Sequence, residues 1–86
     1  MVGVYDETLL KVISVAVRVS VARRRNPGGV FTRADSLFES AERTDRWMAE
    51  ELWFLKNRRP VDLLEDKEGL ILVLDTLSRI AYGVYA

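Results

Sequence analysis

The chain has 86 residues, 49% of them hydrophobic and 30% charged, with thirteen basic and thirteen acidic side chains and neither cysteine nor histidine. This length supports one small domain. Without cysteine there are no disulfides or thiolate metal sites, and without histidine the commonest general base and nucleophile activator is missing, so the composition points away from an enzyme and from any cofactor.

The charge is unevenly spread. Residues 1–34 hold six basic against two acidic side chains, a net +4, and residues 35–86 hold seven against eleven, a net −4. No secretory pattern is present, because Asp6 and Glu7 interrupt the start and no small-residue cleavage site follows. The uncharged run Val12–Val17 is far too short to span a bilayer. A cytoplasmic protein without a membrane partner is the expectation.

The first segment, DETLLKVISVAVRVSVARRR, has two readings. Ile13, Val15, Val17, Val19 and Val21 alternate with small or polar residues, which is the period of a strand. Leu9, Leu10, Ile13, Ala16, Val17 and Val21 also share one face of a helix, with acids in the first turn and Arg23, Arg24 and Arg25 in the last, where cations suit the helix dipole. Nearly twenty residues is long for a strand, which favours the helix. The strand alternative implies a dimer joined through paired strands.

Asn26-Pro27-Gly28-Gly29 is a stop-and-turn signal. Thr32 and Asp35 have capping-box spacing, so a short helix is expected from Arg33 to about Phe38 with Thr32 as its N-cap. Ser40 is placed to cap the next helix, expected to run through AERTDRWMAEELWFLK as a single element. Asn57 suits a left-handed helix end, Pro60 the first position of a brief following helix, and Asp62 its first turn. Gly69 opens the last helix, expected to reach about Tyr82. Leu70, Val73, Leu74, Leu77, Ala81 and Val84 make its apolar stripe. Ile71, Leu72, Ile80 and Tyr82 lie outside that stripe, a surplus that one small core does not easily cover.

Three groups of residues invite a functional reading. Arg23, Arg24 and Arg25, with Arg18 upstream, form a basic helix end able to meet phosphates, or a solubilising helix terminus. The carboxylates of EELW and LLEDKE read as solvated charged faces. Trp47 and Trp53, six residues apart, point in different directions, so one of them is expected to face a partner.

From Trp47 onward the spacing is specific. Leu55 follows after eight residues and Pro60 after thirteen, then Asp62-Leu63-Leu64, a Gly69-initiated apolar helix with Val73, Leu77 and Ile80, and Tyr82-Gly83 near the end. This series resembles the toxin-binding domain of Xre/MbcA/ParS-like antitoxins over about residues 41–86. The resemblance implies an all-α fold, a small single domain of four to five helices. Residues 1–40 would be a reduced or truncated Xre-like helical region, a possible dimerisation or DNA-contact remnant. The same resemblance tips the first segment towards helix.

The resemblance also implies a function. The protein would be the antitoxin of a type II toxin–antitoxin system, binding a RES-domain toxin that consumes NAD or transfers its ADP-ribose. Its last helix and tail would pack against the toxin and close the NAD pocket. The toxin-binding residues would be Ile80, Tyr82, Gly83, Val84 and Tyr85, with Arg79 as a rim charge and the Ala86 carboxylate near arginines that otherwise hold NAD phosphates. Trp47, Leu55, Pro60, Leu63, Leu64, Leu74 and Leu77 would be scaffold. A homo-dimer or a higher toxin–antitoxin assembly is expected. DNA would be bound only weakly, or within the complex. The alternative is a DNA-binding transcriptional regulator that uses the basic N-terminal helix through Arg23, Arg24 and Arg25.

Overall fold

The computed structural model describes residues 7–83. The described residues form five α-helices: α1 (Glu7–Arg25), α2 (Val30–Phe38), α3 (Ala41–Met48), α4 (Pro60–Leu63) and α5 (Lys67–Ala81). Short 3-10 turns at Pro27–Gly29 and Trp53–Leu55 complete the chain path. The fold is all-α; the only β-type pairing among the described residues is an isolated bridge between Leu52 and Arg58. No helix among them is long and apolar enough to cross a membrane.

The first segment is helical, so the strand reading is set aside. The alternating valines nevertheless have a consequence. A step of two residues turns an α-helix by about 200°, so alternate valines fall on opposite faces. Val15 and Val19 are buried against the body, while Val17 and Val21 remain exposed.

Asn26 makes the corner between α1 and α2. Its backbone is left-handed (φ 45°), and its N–H donates to the Ala22 carbonyl at 2.7 Å. Its side-chain Oδ1 accepts from the Phe31 N–H at 2.7 Å, and its Nδ2 donates to Thr32 Oγ1 at 2.8 Å. Thr32 is therefore not an N-cap. Helix α2 begins earlier, at Val30 after Gly29, and Asp35 turns to a partner in α1 rather than to a capping box. A side chain from the preceding turn supplied the acceptor that the Thr32 hydroxyl was expected to provide.

Ser40 does cap α3, accepting from the Arg43 N–H at 3.1 Å. The helix ends at Met48 instead of continuing to Lys56. The Ala49 carbonyl accepts from Arg59 Nε at 3.0 Å, and the Leu52 carbonyl accepts the N–H groups of both Leu55 and Asn57. Lys56 and Asn57 are both left-handed, at φ 57° and 61°. Leu55 is buried within this tight reversal. Pro60 then starts α4 with Asp62 in its first turn, as expected from the sequence.

One hydrophobic cluster joins all five helices: Val15 and Val19 of α1, Val30, Phe31 and Ala34 of α2, Met48 of α3, Val61 and Leu63 of α4, and Val73 and Leu77 of α5, with Leu55 and Leu64 from the connections. Helix α2 packs against α3 and α5, α4 against α5, and α1 against α3 and α4. Two threonines are also buried, and each donates its hydroxyl to the carbonyl four residues earlier. Thr44 Oγ1 donates to the Ser40 carbonyl at 3.1 Å and Thr76 Oγ1 to that of Leu72 at 2.8 Å.

Arg23 ties three helices together. It donates to both carboxylate oxygens of Asp35 in α2 (2.8 and 2.9 Å), to Asp45 in α3 (2.9 Å) and to the Ala41 carbonyl (3.2 Å), and it lies 4.9 Å over the Phe31 ring. Its planar fork suits this set of acceptors, and a lysine would not reproduce it. Hydrogen bonding from Arg23 holds the Asp35 carboxyl below the usual carboxylate range, against an opposing desolvation; Thr44 and the Arg23 charge add to the lowering. A lowered folded-state value contributes stability above the unfolded pKa, and that contribution is lost as pH falls through the folded value. Urea midpoints are therefore expected to fall as pH drops below about 4, and the fall should shrink in Asp35→Asn. Arg23→Ala is expected to cost about 2 kcal/mol, between the values for exposed and buried pairs. An Asp35→Asn variant with an unchanged acid profile would count against this account.

Candidate functional site

The last helix is organised around its buried edge. Asp66 caps α5, its side chain accepting from the Gly69 N–H at 2.6 Å, so the helix opens two residues before Gly69. Val73, Thr76 and Leu77 are buried, while Leu70 and Leu74 are half-buried and Ala81 is exposed. The apolar stripe read from the sequence is thus correct in its centre but rotated, with Thr76 taking a core position. Arg33 of α2 reaches across to donate to Ser78 Oγ at 2.9 Å.

This rotation turns a mixed surface outward. Ile71, Leu72, Asp75, Arg79 and Tyr82 share the solvent side of α5, at steps of three and four residues. Tyr82 is 86% exposed, Ile71 56% and Leu72 44%. Arg79 Nε donates to Asp75 Oδ2 at 2.8 Å, one helical turn away, so the face carries a bound pair of opposite charges between apolar ends. Such exposed pairs add little stability and orient partners instead.

The helix stops where the sequence indicated. Tyr82 follows Ala81 as the C-cap, and Gly83 turns left-handed at φ 77°, its N–H bonded to the Ile80 carbonyl at 3.0 Å. A β-carbon at this φ would be strained, so glycine suits the turn. Of the expected partner-binding residues, Arg79, Tyr82 and Gly83 are exposed together at the end of α5, and Ile80 is half-buried beside them. Val84, Tyr85 and Ala86 lie outside the described residues. Ile71, Leu72 and Asp75 were not among the expected site residues; their signal was the apolar surplus outside the α5 stripe.

The tryptophans separate as their spacing required. Trp47 is half-buried, its ring 5.8 Å from Phe38, and belongs to the scaffold. Trp53 is 77% exposed and meets only the edge of Phe54, at 5.4 Å, among the ring contacts described. It stands on the tight reversal that ends α3 early.

The arginines at the end of α1 also separate. Arg23 is committed to Asp35, Asp45 and Phe31, whereas Arg24 and Arg25 are exposed. Arg18, five residues before Arg23, pairs with Asp62 of α4.

The family model of the antitoxin Xre/MbcA/ParS C-terminal toxin-binding domain matches residues 33–83. The chain belongs to this antitoxin family. The match begins in α2, earlier than the spacing from Trp47 suggested, and ends at Gly83. It contains the whole outer face of α5 and Trp53, and it leaves out α1. No curated protein and no solved structure gives a significant match. In this antitoxin, the toxin-binding domain implies a toxin as partner. The largest apolar exposures inside the matched residues are Tyr82, Trp53 and Ile71.

Proposed function

We propose that this antitoxin is a non-catalytic, cytoplasmic inhibitor of a RES-domain toxin that consumes NAD or transfers its ADP-ribose, and that it acts by covering the toxin's NAD-binding site with α5 and the residues that follow. The observation that supports this most is the outer face of α5, where Ile71, Leu72 and Tyr82 expose apolar side chains around the Arg79–Asp75 pair. A free chain gains nothing by exposing them, whereas an apolar anchor set with an oriented charge is what a tight protein interface uses. Arg79, Ile80, Tyr82 and Gly83 would contact the toxin first, and Val84, Tyr85 and Ala86 would continue into its pocket. A homo-dimer, or a higher toxin–antitoxin assembly, would be the working form.

DNA contact through α1 is the weaker reading. Of the three arginines it would use, Arg23 is already spent on two carboxylates. Binding would rest on Arg24 and Arg25, too few phosphate contacts for a strong salt-dependent affinity.

Co-expression with the product of the adjacent reading frame, tagged on that product alone, tests the proposal. A complex that co-purifies while cellular NAD is preserved is the expected result. No complex, with NAD unaffected by the neighbour expressed alone, would sink it. Within a confirmed complex, Tyr85→Ala or deletion of residues 84–86 should weaken inhibition by roughly tenfold or more, with the circular dichroism spectrum unchanged. A truncated chain that inhibits as well as the full one would remove the tail from the mechanism.

A further inference from the structure

Between α1 and α3 lies an open groove of about 580 Å³. It follows α1 from Arg23 back to Lys11 and α3 from Asp45 on to Ala49, with Arg59 beside it. Twelve residues of helix make that run about 18 Å long. Val15, Ala16, Val19 and Ala49 give it an apolar lining of short side chains. Its charged lining is one-sided: Lys11, Arg23, Arg46 and Arg59 stand against the single carboxylate of Asp45. That carboxylate is already taken, because Asp45 Oδ1 accepts from Arg23 Nε at 2.9 Å. Arg46 turns to exposed Glu42 at 3.5 Å. Lys11 and Arg59 are in no ion pair among the described residues. Arg59 is half-buried, and its Nε is fixed on the Ala49 carbonyl at 3.0 Å, which leaves its two terminal nitrogens for another acceptor. Ala49 is one turn beyond Asp45, and Lys11 is more than three turns before Arg23. Both free cations therefore stand toward the end of the groove away from Arg23.

We infer that this groove binds a free anionic amphiphile, a carboxylate on a single alkyl chain, with the head group held by Lys11 and Arg59 and the chain laid along Val15, Ala16, Val19 and Ala49. Charge complementarity selects the head group. Two cations without an anion, one of them preset by its own backbone contact, match a carboxylate, and a guanidinium can hold both of its oxygens. The middle of the groove selects the rest of the ligand. It offers only short apolar side chains, on which an alkyl chain gains by leaving water and a polyanion gains nothing. Size selects a single chain over a helix. The volume falls within the roughly 300–1,000 Å³ of small-ligand sites. A helix with its side chains is about 10–12 Å across, and one lying along this run would ride above the alanines.

The groove shares no residue with the outer face of α5, and the inference rests on no property of the toxin, so it and the proposed function can fail independently. Titration of the ¹⁵N-labelled full chain with sodium dodecanoate, followed by NMR, tests it. The largest shifts are expected at Ala16, Val19, Ala49 and Arg59, saturating at about 1 mM or below, an affinity open to a ligand of this size. Dodecyltrimethylammonium, with the same chain and the opposite charge, should bind at least about tenfold more weakly. Lys11→Glu should weaken dodecanoate binding by at least about tenfold. Ala16→Trp, which fills the groove, should abolish the shifts. Both positions are exposed, so circular dichroism should not change in either variant. Equal binding of the two amphiphiles, or shifts led by Leu10, Ile13 and Val17 or by Ile71 and Tyr82, would show apolar adsorption alone and overturn the proposal. A groove that gives no shift with dodecanoate would overturn it as well, whether it stays empty, is covered by a second copy, or takes up only an acidic helical peptide.

Discussion

Gly69→Ala is expected to remove a large share of the protein's folding stability. A β-carbon built at Gly69 would lie 1.9 Å from the carbonyl oxygen of Leu63 and 2.8 Å from its carbonyl carbon. These are backbone atoms at the end of α4, so no side-chain rotation relieves the contact. The approach is close because Asp66 caps α5 directly over α4, with the Gly69 N–H bonded to Asp66 Oδ1. Alanine would ordinarily favour a helix by about 1 kcal/mol over glycine. Forcing α4 and α5 apart should outweigh that, at about 3 kcal/mol or more, as severe overpacking does. A chain of this size has roughly 4–13 kcal/mol of stability in all. The melting temperature should fall by roughly 10–20 °C. Lys67→Ala and Glu68→Ala, at exposed positions in the same turn, should leave it nearly unchanged. A Gly69→Ala variant as stable as the parent would mean that α4 and α5 sit further apart than described.

Ile71→Asp combined with Tyr82→Ala should abolish toxin inhibition while leaving the fold intact. Both side chains are more than half exposed, so their loss should change stability by no more than about 0.5 kcal/mol. On binding, each would act as an anchor worth roughly 2 kcal/mol, about thirtyfold in affinity, and the pair should cost about a thousandfold. Under the proposed function, titration of the purified toxin with each variant, read as residual NAD consumption, measures this. Glu42→Ala on α3, where the side chain is 84% exposed, is the control and should inhibit normally. Full inhibition by the double variant would move the toxin contact off the outer face of α5. Trp53 would then become the leading anchor.

Gly69 lies on the opposite side of α5 from Ile71 and Tyr82, and the sequence encoded the two sides unevenly. Helix boundaries were legible where a single residue acts locally. Ser40 as a cap, Pro60 as a start and the stop at Tyr82–Gly83 all depend on neighbours within a few positions. The family was legible for a similar reason, because the series from Trp47 to Gly83 keeps its order and spacing along the chain. Boundaries set by distant partners were misplaced. Thr32 lost its capping role because Asn26 supplied the acceptor and Arg23 drew Asp35 away. Helix α3 stopped at Met48 because the return of the chain to Pro60, with Arg59 on the Ala49 carbonyl, required a reversal there.

The candidate site divides along the same line. The sequence alone determined that the chain is helical, that it belongs to this antitoxin family, and that it carries more apolar surface than one small core can hide. Composition and periodicity suffice for that, since they count and space side chains without needing their partners. Only the tertiary structure decided which of those side chains are left over. In α1 the face with the best helical periodicity, Leu10, Ile13, Val17 and Val21, turned outward, and the less conspicuous Val15 and Val19 turned in. In α5 the close fit of Gly69 against Leu63 and the packing of Val73 and Leu77 in the core go with a rotation that exposes Ile71 and Tyr82. A helix with two apolar faces has no local reason to choose between them. The choice is made by whichever face the neighbouring helices can pack against, and that information is spread over the whole chain.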